Sequence, residues 1–230
     1  MVRTEKNSRE GLKWSKIIRF LTLPFSPSRL KVYIALKRFE DLPIKKLVAD
    51  GVQGVLLDAD GTLGTHHTKV FPQTSVDTVG MLVAEGLKVA IYTNSTEDRF
   101  RQFKNIPVVS EAIEKPDPRG FEQAMKIHLQ LSDPSKICMI GDSFITDGGA
   151  VEACMKFIYV YPVIGNENPF HKLTRYLAYL CARFYNKSSF NNDQTLKFDW
   201  MGKIDIFLKN IGFLQYINTN TSIWFIMDKY

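Results

Sequence analysis

Short apolar runs alternate with segments of helical period between residues 53 and 163. The apolar runs predict five strands, at residues 53–58, 87–92, 107–109, 136–140 and 156–163. Helices are predicted between them, at residues 75–86, from residue 95 or 96 onward, at residues 118–130 and around residues 147–155. This alternation indicates an α/β fold, in which helices cover both faces of a central parallel sheet.

Polar residues follow the first predicted strand, in the motif DADGT. Asp58 and Asp60 are two positions apart, so an extended backbone would point both carboxylates the same way. Two like charges this close usually need a cation, and Mg²⁺ prefers oxygen ligands. Gly61 permits a sharp backbone turn, and the Thr62 hydroxyl can hydrogen-bond back to hold it. Taken alone, the motif also fits an ordinary Asp-rich turn.

Three further strand ends carry chemistry-bearing side chains. The second strand is followed by a hydroxyl and an amide, of Thr93 and Asn94, and the third by the amine of Lys115. The fourth is followed by two carboxylates, of Asp142 and Asp147. Each group has a plainer alternative, as a helix cap or as a solvated charge. Ligands of parallel sheets bind beyond the carboxyl ends of the strands, so the four strand ends together predict a single site.

The ordered set of motifs resembles the haloacid dehalogenase-like (HAD) superfamily of phosphotransferases. Its four motifs are matched by DADGT, by Thr93, by Lys115 and by GDSFITD. The resemblance implies a three-layer, Rossmann-like HAD fold and a Mg²⁺-dependent hydrolase of phosphate monoesters. A second aspartate in the first motif is typical of members that hydrolyse phosphate esters.

The resemblance also implies a role for each site residue. Asp58 would attack phosphorus and form an aspartyl-phosphate, and Asp60 would act as general acid and then general base. The metal would be held by Asp58, Asp142 and the backbone carbonyl of Asp60, while Asp147 would act on it indirectly. The phosphoryl oxygens would be bound by Thr93, Asn94 and Lys115.

Short spacings between the motifs predict that no large cap domain covers the site. Asp58 and Thr93 are 35 positions apart, and Thr93 and Lys115 are 22 apart, which leaves room only for a small flap. His66 and His67 lie in that flap, where they could contact substrate or simply be exposed. An open site suits a large substrate or one presented at a surface.

The net charge of +6 is unevenly distributed along the chain. Counting Lys and Arg against Asp and Glu gives +7 for residues 1–50, −5 for residues 51–167 and +4 for residues 168–230, which sum to +6. We expect these ranges to be a basic amphipathic leader, the HAD-like phosphatase core, and a basic helix followed by a C-terminal extension. Residues 188–230 match no pattern that indicates a role.

Both basic flanks contain segments that resemble amphipathic helices of a membrane interface. In the second flank, apolar residues recur at helical spacing among basic ones: Phe170, Leu173, Leu177, Leu180 and Phe184. Such helices bind anionic membrane surfaces, although the same pattern also suits a helix packed on the sheet. Three widely spaced cysteines and the lack of about 18–20 consecutive apolar residues indicate a cytoplasmic protein, free or peripheral to a membrane.

Over residues 24–187 the chain resembles the capless, YqeG-like branch of subfamily III, which includes phosphatidylglycerophosphate phosphatases. Members of that branch tend to carry Asn where this sequence has Gly61. The favoured function is therefore hydrolysis of phosphatidylglycerophosphate or of another phosphate presented by a membrane. Two alternatives remain, a broad-specificity phosphatase of soluble esters or phosphoproteins, and a non-catalytic basic binding module. No RNA-reading aromatic motif supports a nucleic-acid partner.

Overall fold

The structure, a computed structural model, describes residues 14–65, 68–94, 99–109, 112–163, 165 and 169–190. The chain divides into two compact units, Met1–Asn192 and Asp193–Tyr230, and every described residue belongs to the first. The flap histidines, His66 and His67, and the extension over residues 191–230 lie outside the described residues.

A single parallel sheet of six strands forms the centre of the first unit, in the order β1-β6-β5-β2-β3-β4. The strands are β1 (Ile34–Leu36), β2 (Gly54–Leu57), β3 (Lys88–Tyr92), β4 (Val108–Val109), β5 (Ile137–Gly141) and β6 (Lys156–Val160). All five strands predicted from the apolar runs are confirmed. The sixth, β1, comes from the basic leader and pairs with β6. Its three residues are too few to produce a recognisable alternation in the sequence.

Helices lie between the strands and at both ends of the described chain. The α-helices are α1 (Trp14–Thr22), α2 (Ile44–Ala49), α3 (Gln73–Ala84), α4 (Pro118–Gln123), α5 (Gly149–Glu152), α6 (Pro169–Tyr185) and α7 (Lys187–Phe190). Helix α4 continues as a π-helical segment over Ala124–Leu129. Of the helix predicted from residue 95 or 96, residues 95–98 lie outside the described residues and residue 99 is 3₁₀-helical. The helix does not continue beyond it, because residues 100–103 form a turn closed by a hydrogen bond from Phe103 N to Phe100 O.

Two hydrophobic clusters cover the two faces of the sheet. Along β2, Val55 and Leu57 face one cluster, whereas Leu56 faces the other, as the two-residue period of a strand requires. All four residues of β2 are buried, which explains why the sequence reads as a continuous apolar run. The predicted three-layer α/β architecture is confirmed. In the described residues between β2 and β3, the chain forms a loop and α3 rather than a cap domain.

Helix α6 packs against the sheet through small and aromatic residues, not through the leucines of its amphipathic pattern. Ala178, Tyr179 and Ala182 are buried in the core, and the Tyr179 ring lies 5.8 Å from that of Tyr159. The remaining stripe stays largely exposed: Leu173, Leu177, Leu180 and Phe184. Packing on the sheet is therefore confirmed for one face of this helix, and membrane contact through the exposed face stays a prediction. None of the described helices is both long enough and apolar enough to cross a membrane.

Candidate active site

The loop after β2 places two aspartates at the carboxyl edge of the sheet. Asp58 is buried and donates its backbone N–H to Ile140 O of β5, so it continues the sheet pairing by one residue. The chain then turns through Gly61, whose φ of +87° is readily adopted only by glycine. The turn is closed by backbone hydrogen bonds, from Gly61 N to Gly64 O at 2.8 Å and from Leu63 N to Ala59 O at 3.0 Å.

The Thr62 hydroxyl does not hold this turn, contrary to the expectation from the sequence. Thr62 is buried, and its Oγ1 has no hydrogen-bond partner among the described residues. The backbone itself supplies the closing bonds, which sequence reasoning could not anticipate. Ser143, by contrast, does tether its own loop, since its Oγ accepts a hydrogen bond from Thr146 N at 3.3 Å.

The other predicted site residues follow the strands that flank β2. Strands β5 and β3 are its two neighbours, and β4 lies beyond β3, so the four predicted strand ends lie next to one another. Thr93 directly follows β3 and is buried, and its N–H points to Val109 O of β4 at 3.4 Å. Asn94 beside it is half-buried. Asp142 directly follows β5 and is also buried.

Lys115 joins the first and last motifs inside the protein. Its Nζ donates to Asp58 Oδ1 at 2.5 Å and to Asp147 Oδ1 at 2.6 Å. The other oxygen of Asp147 accepts a hydrogen bond from the backbone N–H of Ser143 at 3.1 Å. Lys115 is 2% exposed, so this ammonium is a buried charge with two carboxylate partners rather than a solvated loop lysine. The ring of Tyr92 lies beneath it, with Nζ 5.5 Å from the ring centroid.

Burial shifts the pKa values of these three groups. Desolvation raises the pKa of Asp58 to about 7, with a further rise from the Asp147 charge and an opposing effect of Lys115. Burial likewise raises the pKa of Asp147, again against the effect of Lys115. Burial alone would lower the pKa of Lys115, but the charges of Asp147 and Asp58 outweigh it and raise that pKa. The single positive charge of Lys115 therefore does not fully neutralise the two buried carboxylates, Asp58 and Asp147.

The arrangement of carboxylates is suited to a metal ion. Oxygens of Asp58, Asp142 and Asp147, all buried, lie within 4.8 Å of one another. Glycines permit this approach, because a Cβ at Gly61 would overlap the carboxylate of Asp142, and one at Gly141 would overlap that of Asp147. Asp58 and Asp147 share the Lys115 ammonium and have raised pKa values, and clustered carboxylate oxygens of this kind are the donors that a hard divalent cation prefers.

Two arginines outside the four motifs also reach these carboxylates. Arg99 Nη2 lies 2.6 Å from Asp60 Oδ1, and Arg175 Nη1 of α6 lies 2.5 Å from Asp142 Oδ2. The sequence motifs include neither residue, although Arg175 lies within the amphipathic pattern of residues 170–184. Nothing in the local sequence marks either residue, since the fold alone brings them to the strand ends.

Comparison with solved structures found two that are similar to part of the chain: an uncharacterized protein from Listeria monocytogenes serotype 4b, and the core domain of a candidate phosphoglycolate phosphatase from Streptococcus pneumoniae TIGR4. The first is 23% identical with a TM-score of 0.41 and covers 51% of this chain and 84% of its own. The second is 14% identical with a TM-score of 0.36, covering 55% and 95%.

Sequence comparison identifies the family directly. No curated protein is significantly similar to the chain. Residues 33–154, more than half of the 230 residues, match the haloacid dehalogenase-like hydrolases. The matched range contains β1 to β5 and every predicted site residue. The chain therefore belongs to the haloacid dehalogenase-like hydrolase family.

Proposed function

We propose that the protein is a Mg²⁺-dependent phosphomonoesterase that acts through an aspartyl-phosphate on Asp58. The observation that carries this proposal is the buried bridge from Lys115 to Asp58 and Asp147, with Asp142 beside it. A bridge that only stabilised the fold would need one carboxylate. Two carboxylates on a single ammonium, with the carboxylate of Asp142 within 4.8 Å of both, instead favour a site that gains a divalent cation and a phosphate.

Mg²⁺ would be held by Asp58, Asp142 and the backbone carbonyl of Asp60, and Asp147 lies close enough to support it. When bound, it supplies positive charge that offsets the repulsion between the nucleophilic carboxylate and the phosphate. Thr93, at the end of the neighbouring strand, and Asn94 after it would bind phosphoryl oxygens together with Lys115.

Two displacements at phosphorus complete the reaction. In the first, a carboxylate oxygen of Asp58 forms a bond to phosphorus while the ester P–O bond breaks, and Asp60 donates a proton to the departing alkoxide. In the second, water attacks the aspartyl-phosphate and Asp60 accepts its proton. The P–O bond to Asp58 then breaks, which releases inorganic phosphate and restores Asp58 as a carboxylate and Asp60 as a carboxylic acid.

Exposed apolar residues on α1 and α6 support a substrate presented at a membrane. Besides the stripe on α6 described above, Ile18 and Leu21 on α1 and Phe25 just after it are exposed. The two segments are adjacent, because the Tyr185 hydroxyl donates to Pro24 O at 2.8 Å. Lys172 and Lys187 flank the stripe on α6 and α7. An apolar stripe beside basic side chains is suited to the anionic leaflet of a membrane.

The favoured substrate is therefore phosphatidylglycerophosphate or another lipid headgroup that carries a phosphate monoester. The protein would be peripheral to an anionic membrane, with its catalytic core in the cytoplasm. A broad phosphatase of soluble esters or phosphoproteins is the second candidate. A non-catalytic binding module is disfavoured, because such a module has no need for four ordered catalytic motifs.

Phosphate release from a panel of esters tests the catalytic proposal. We expect Mg²⁺-dependent release from a short-chain phosphatidylglycerophosphate, loss of release with a chelator, and recovery when Mg²⁺ is restored. Asp58→Asn should lower kcat by at least about 10³-fold, because an amide is a far weaker nucleophile. Asp77→Asn, which changes an exposed aspartate on α3, is the matched control and should keep full activity.

Two outcomes would contradict the proposal. Release that is unchanged by Asp58→Asn would exclude the covalent route. Phosphate release from soluble sugar phosphates or phosphopeptides at rates equal to the lipid would favour the broad-specificity alternative.

A further inference from the structure

Two partly buried arginines stand beside the carboxylates of the site, although the four motifs include neither. The side chains of Arg99 and Arg175 are 10% and 21% exposed. Each contacts a different aspartate, Asp60 and Asp142 respectively. The two residues are 76 positions apart in sequence, one after β3 and the other on α6, so the fold brings two guanidinium groups to one edge of the sheet.

Aromatic packing fixes the position of Arg99. Its guanidinium carbon lies 5.4 Å from the ring centroids of both Phe71 and Phe100, and those rings stack on each other with centroids 5.6 Å apart. The Gln102 side chain holds the same loop by accepting a hydrogen bond from Phe71 N at 2.7 Å. A guanidinium stacked on aromatic rings loses less conformational freedom when it binds an anion.

Arg175 is positioned by the anchoring of its helix. The following turns of α6 insert Ala178, Tyr179 and Ala182 into the core. Just after the helix, the Asn186 side chain accepts from Val32 N at 3.0 Å and donates to Leu30 O at 2.7 Å. Helix α6 therefore presents Arg175 to Asp142 from a fixed support, as a positioned side chain rather than a mobile surface charge.

The proposed phosphoryl transfer does not require the guanidinium groups of Arg99 and Arg175. Lys115, Thr93 and the metal are sufficient to bind the transferring group. A guanidinium carries five N–H donors in a planar fork, so it can contact a protein carboxylate and a second oxyanion together.

We propose that Arg99 and Arg175 form a subsite for a second anionic group of the substrate, a carboxylate or phosphodiester a few bonds from the phosphate monoester. This subsite rests on the proposed function, since it would bind a group that belongs to the same substrate as the hydrolysed phosphate. It selects substrates with two anionic centres over simple monoesters. In a protein whose described residues contain no cap domain, it supplies the specificity that a cap would otherwise provide.

Binding of two matched phosphonates tests the subsite without catalysis. Propylphosphonate and 3-phosphonopropionate share a three-carbon chain and differ only in the terminal methyl or carboxylate. By titration calorimetry in Mg²⁺ buffer, we expect the carboxylate compound to bind the wild-type protein at least about tenfold more tightly, the gain of a charge-assisted hydrogen-bond pair. Equal affinities for the two compounds would overturn the carboxylate form of the proposal.

Substitutions of Arg99 and Arg175 distinguish a role in binding the second anion from a role in stabilising the fold. Arg175→Ala and Arg99→Ala should each reduce the affinity ratio between the two phosphonates by about tenfold, and Arg175→Lys should retain part of it. Arg183→Ala removes an exposed arginine from the same helix and should keep the wild-type ratio. A merely structural role would weaken both phosphonates equally and leave the ratio unchanged, which would also overturn the proposal.

Hydrolysis then distinguishes the two sources of the second anion. The ratio of kcat/KM for phosphoglycolate to that for ethyl phosphate measures the effect of a carboxylate as the second anion. The same ratio for short-chain phosphatidylglycerophosphate, again relative to ethyl phosphate, measures the effect of a phosphodiester. The proposal expects at least one ratio to exceed about ten and to fall in both arginine variants. Equal hydrolysis of all three esters overturns the subsite but not the phosphatase. Hydrolysis of none, with the phosphonate preference intact, overturns the phosphatase and leaves an anion-binding site.

Discussion

Lys115 shows how a single residue can hold a site together before any ligand binds. It is buried between two carboxylates and makes hydrogen bonds of 2.5 and 2.6 Å to them. Its desolvation is costly, and its Coulomb attraction to two partners repays that cost. The lysine thus connects the first and last motifs, and in the proposed reaction it would also present a cation to the phosphate.

Removal of this cation should destabilise the fold strongly. Lys115→Ala leaves Asp58 and Asp147 buried without a counter-charge, and loss of one partner of a buried ion pair typically costs about 3–5 kcal/mol. Urea unfolding in the presence of a chelator should show this drop in the free energy of unfolding. Lys126→Ala breaks an exposed pair with Glu122 and should cost less than about 0.5 kcal/mol. Equal losses in the two variants would mean that the bridge carries no stability.

At the scale of elements, the turn after β2 decides where the carboxylates meet. Strand β2 lies between β3 and β5, so its end is adjacent to both Thr93 and Asp142. Gly61 lets the chain turn within one residue and lets the Asp142 carboxylate approach the backbone. The carbonyl of Gly61 also accepts a hydrogen bond from Val163 N, just after β6, at 2.8 Å.

A side chain at this turn should damage activity more than stability. In Gly61→Ala, the positive φ costs about 1–2 kcal/mol, and the new methyl group displaces the Asp142 carboxylate. Phosphate release should fall at least about tenfold, because a metal ligand has moved. Gly86→Ala shares the positive φ, at +82°, but its Cβ would meet open space. That control should lose similar stability in a thermal melt and keep full activity; matching losses of activity would refute the role of the turn.

Helix α6 serves two surfaces of the molecule at once. One face packs on the sheet through Ala178, Tyr179 and Ala182, and the helix also delivers Arg175 to the carboxylates. Its leucine stripe remains exposed beside α1. A helix that is amphipathic in sequence is usually assumed to bury its apolar stripe, but here small residues make the core contact.

At the scale of the whole molecule, the exposed stripe predicts binding to anionic membranes. Full burial of one Leu or Phe side chain contributes about 1.5–3 kcal/mol, so the double variant Leu177→Glu with Phe184→Glu should lower partitioning into phosphatidylglycerol liposomes at least about tenfold. Sedimentation at low salt measures this loss. Met81→Glu changes an exposed apolar residue on α3 and should bind as the wild type does. Undiminished binding of the double variant would contradict the membrane proposal.

Much of the fold was predictable because buried parallel strands leave continuous apolar runs. All five such runs became strands, and the residues after them meet at one edge because parallel strands all end there. The short strand β1 left no comparable signal. The turn at residues 100–103 also differs from the predicted helix, because Phe100 and Phe103 pack against the ring of Phe71.

The sequence by itself determined the order of the strands along the chain, the family and the identity of the motif residues, since these depend on local pattern and spacing. Only the tertiary structure decided which charges meet. Lys115 bridges Asp58 and Asp147, and Arg175 reaches Asp142, across separations of 57, 32 and 33 positions. Such contacts follow from strand order and helix packing, and no local pattern records them.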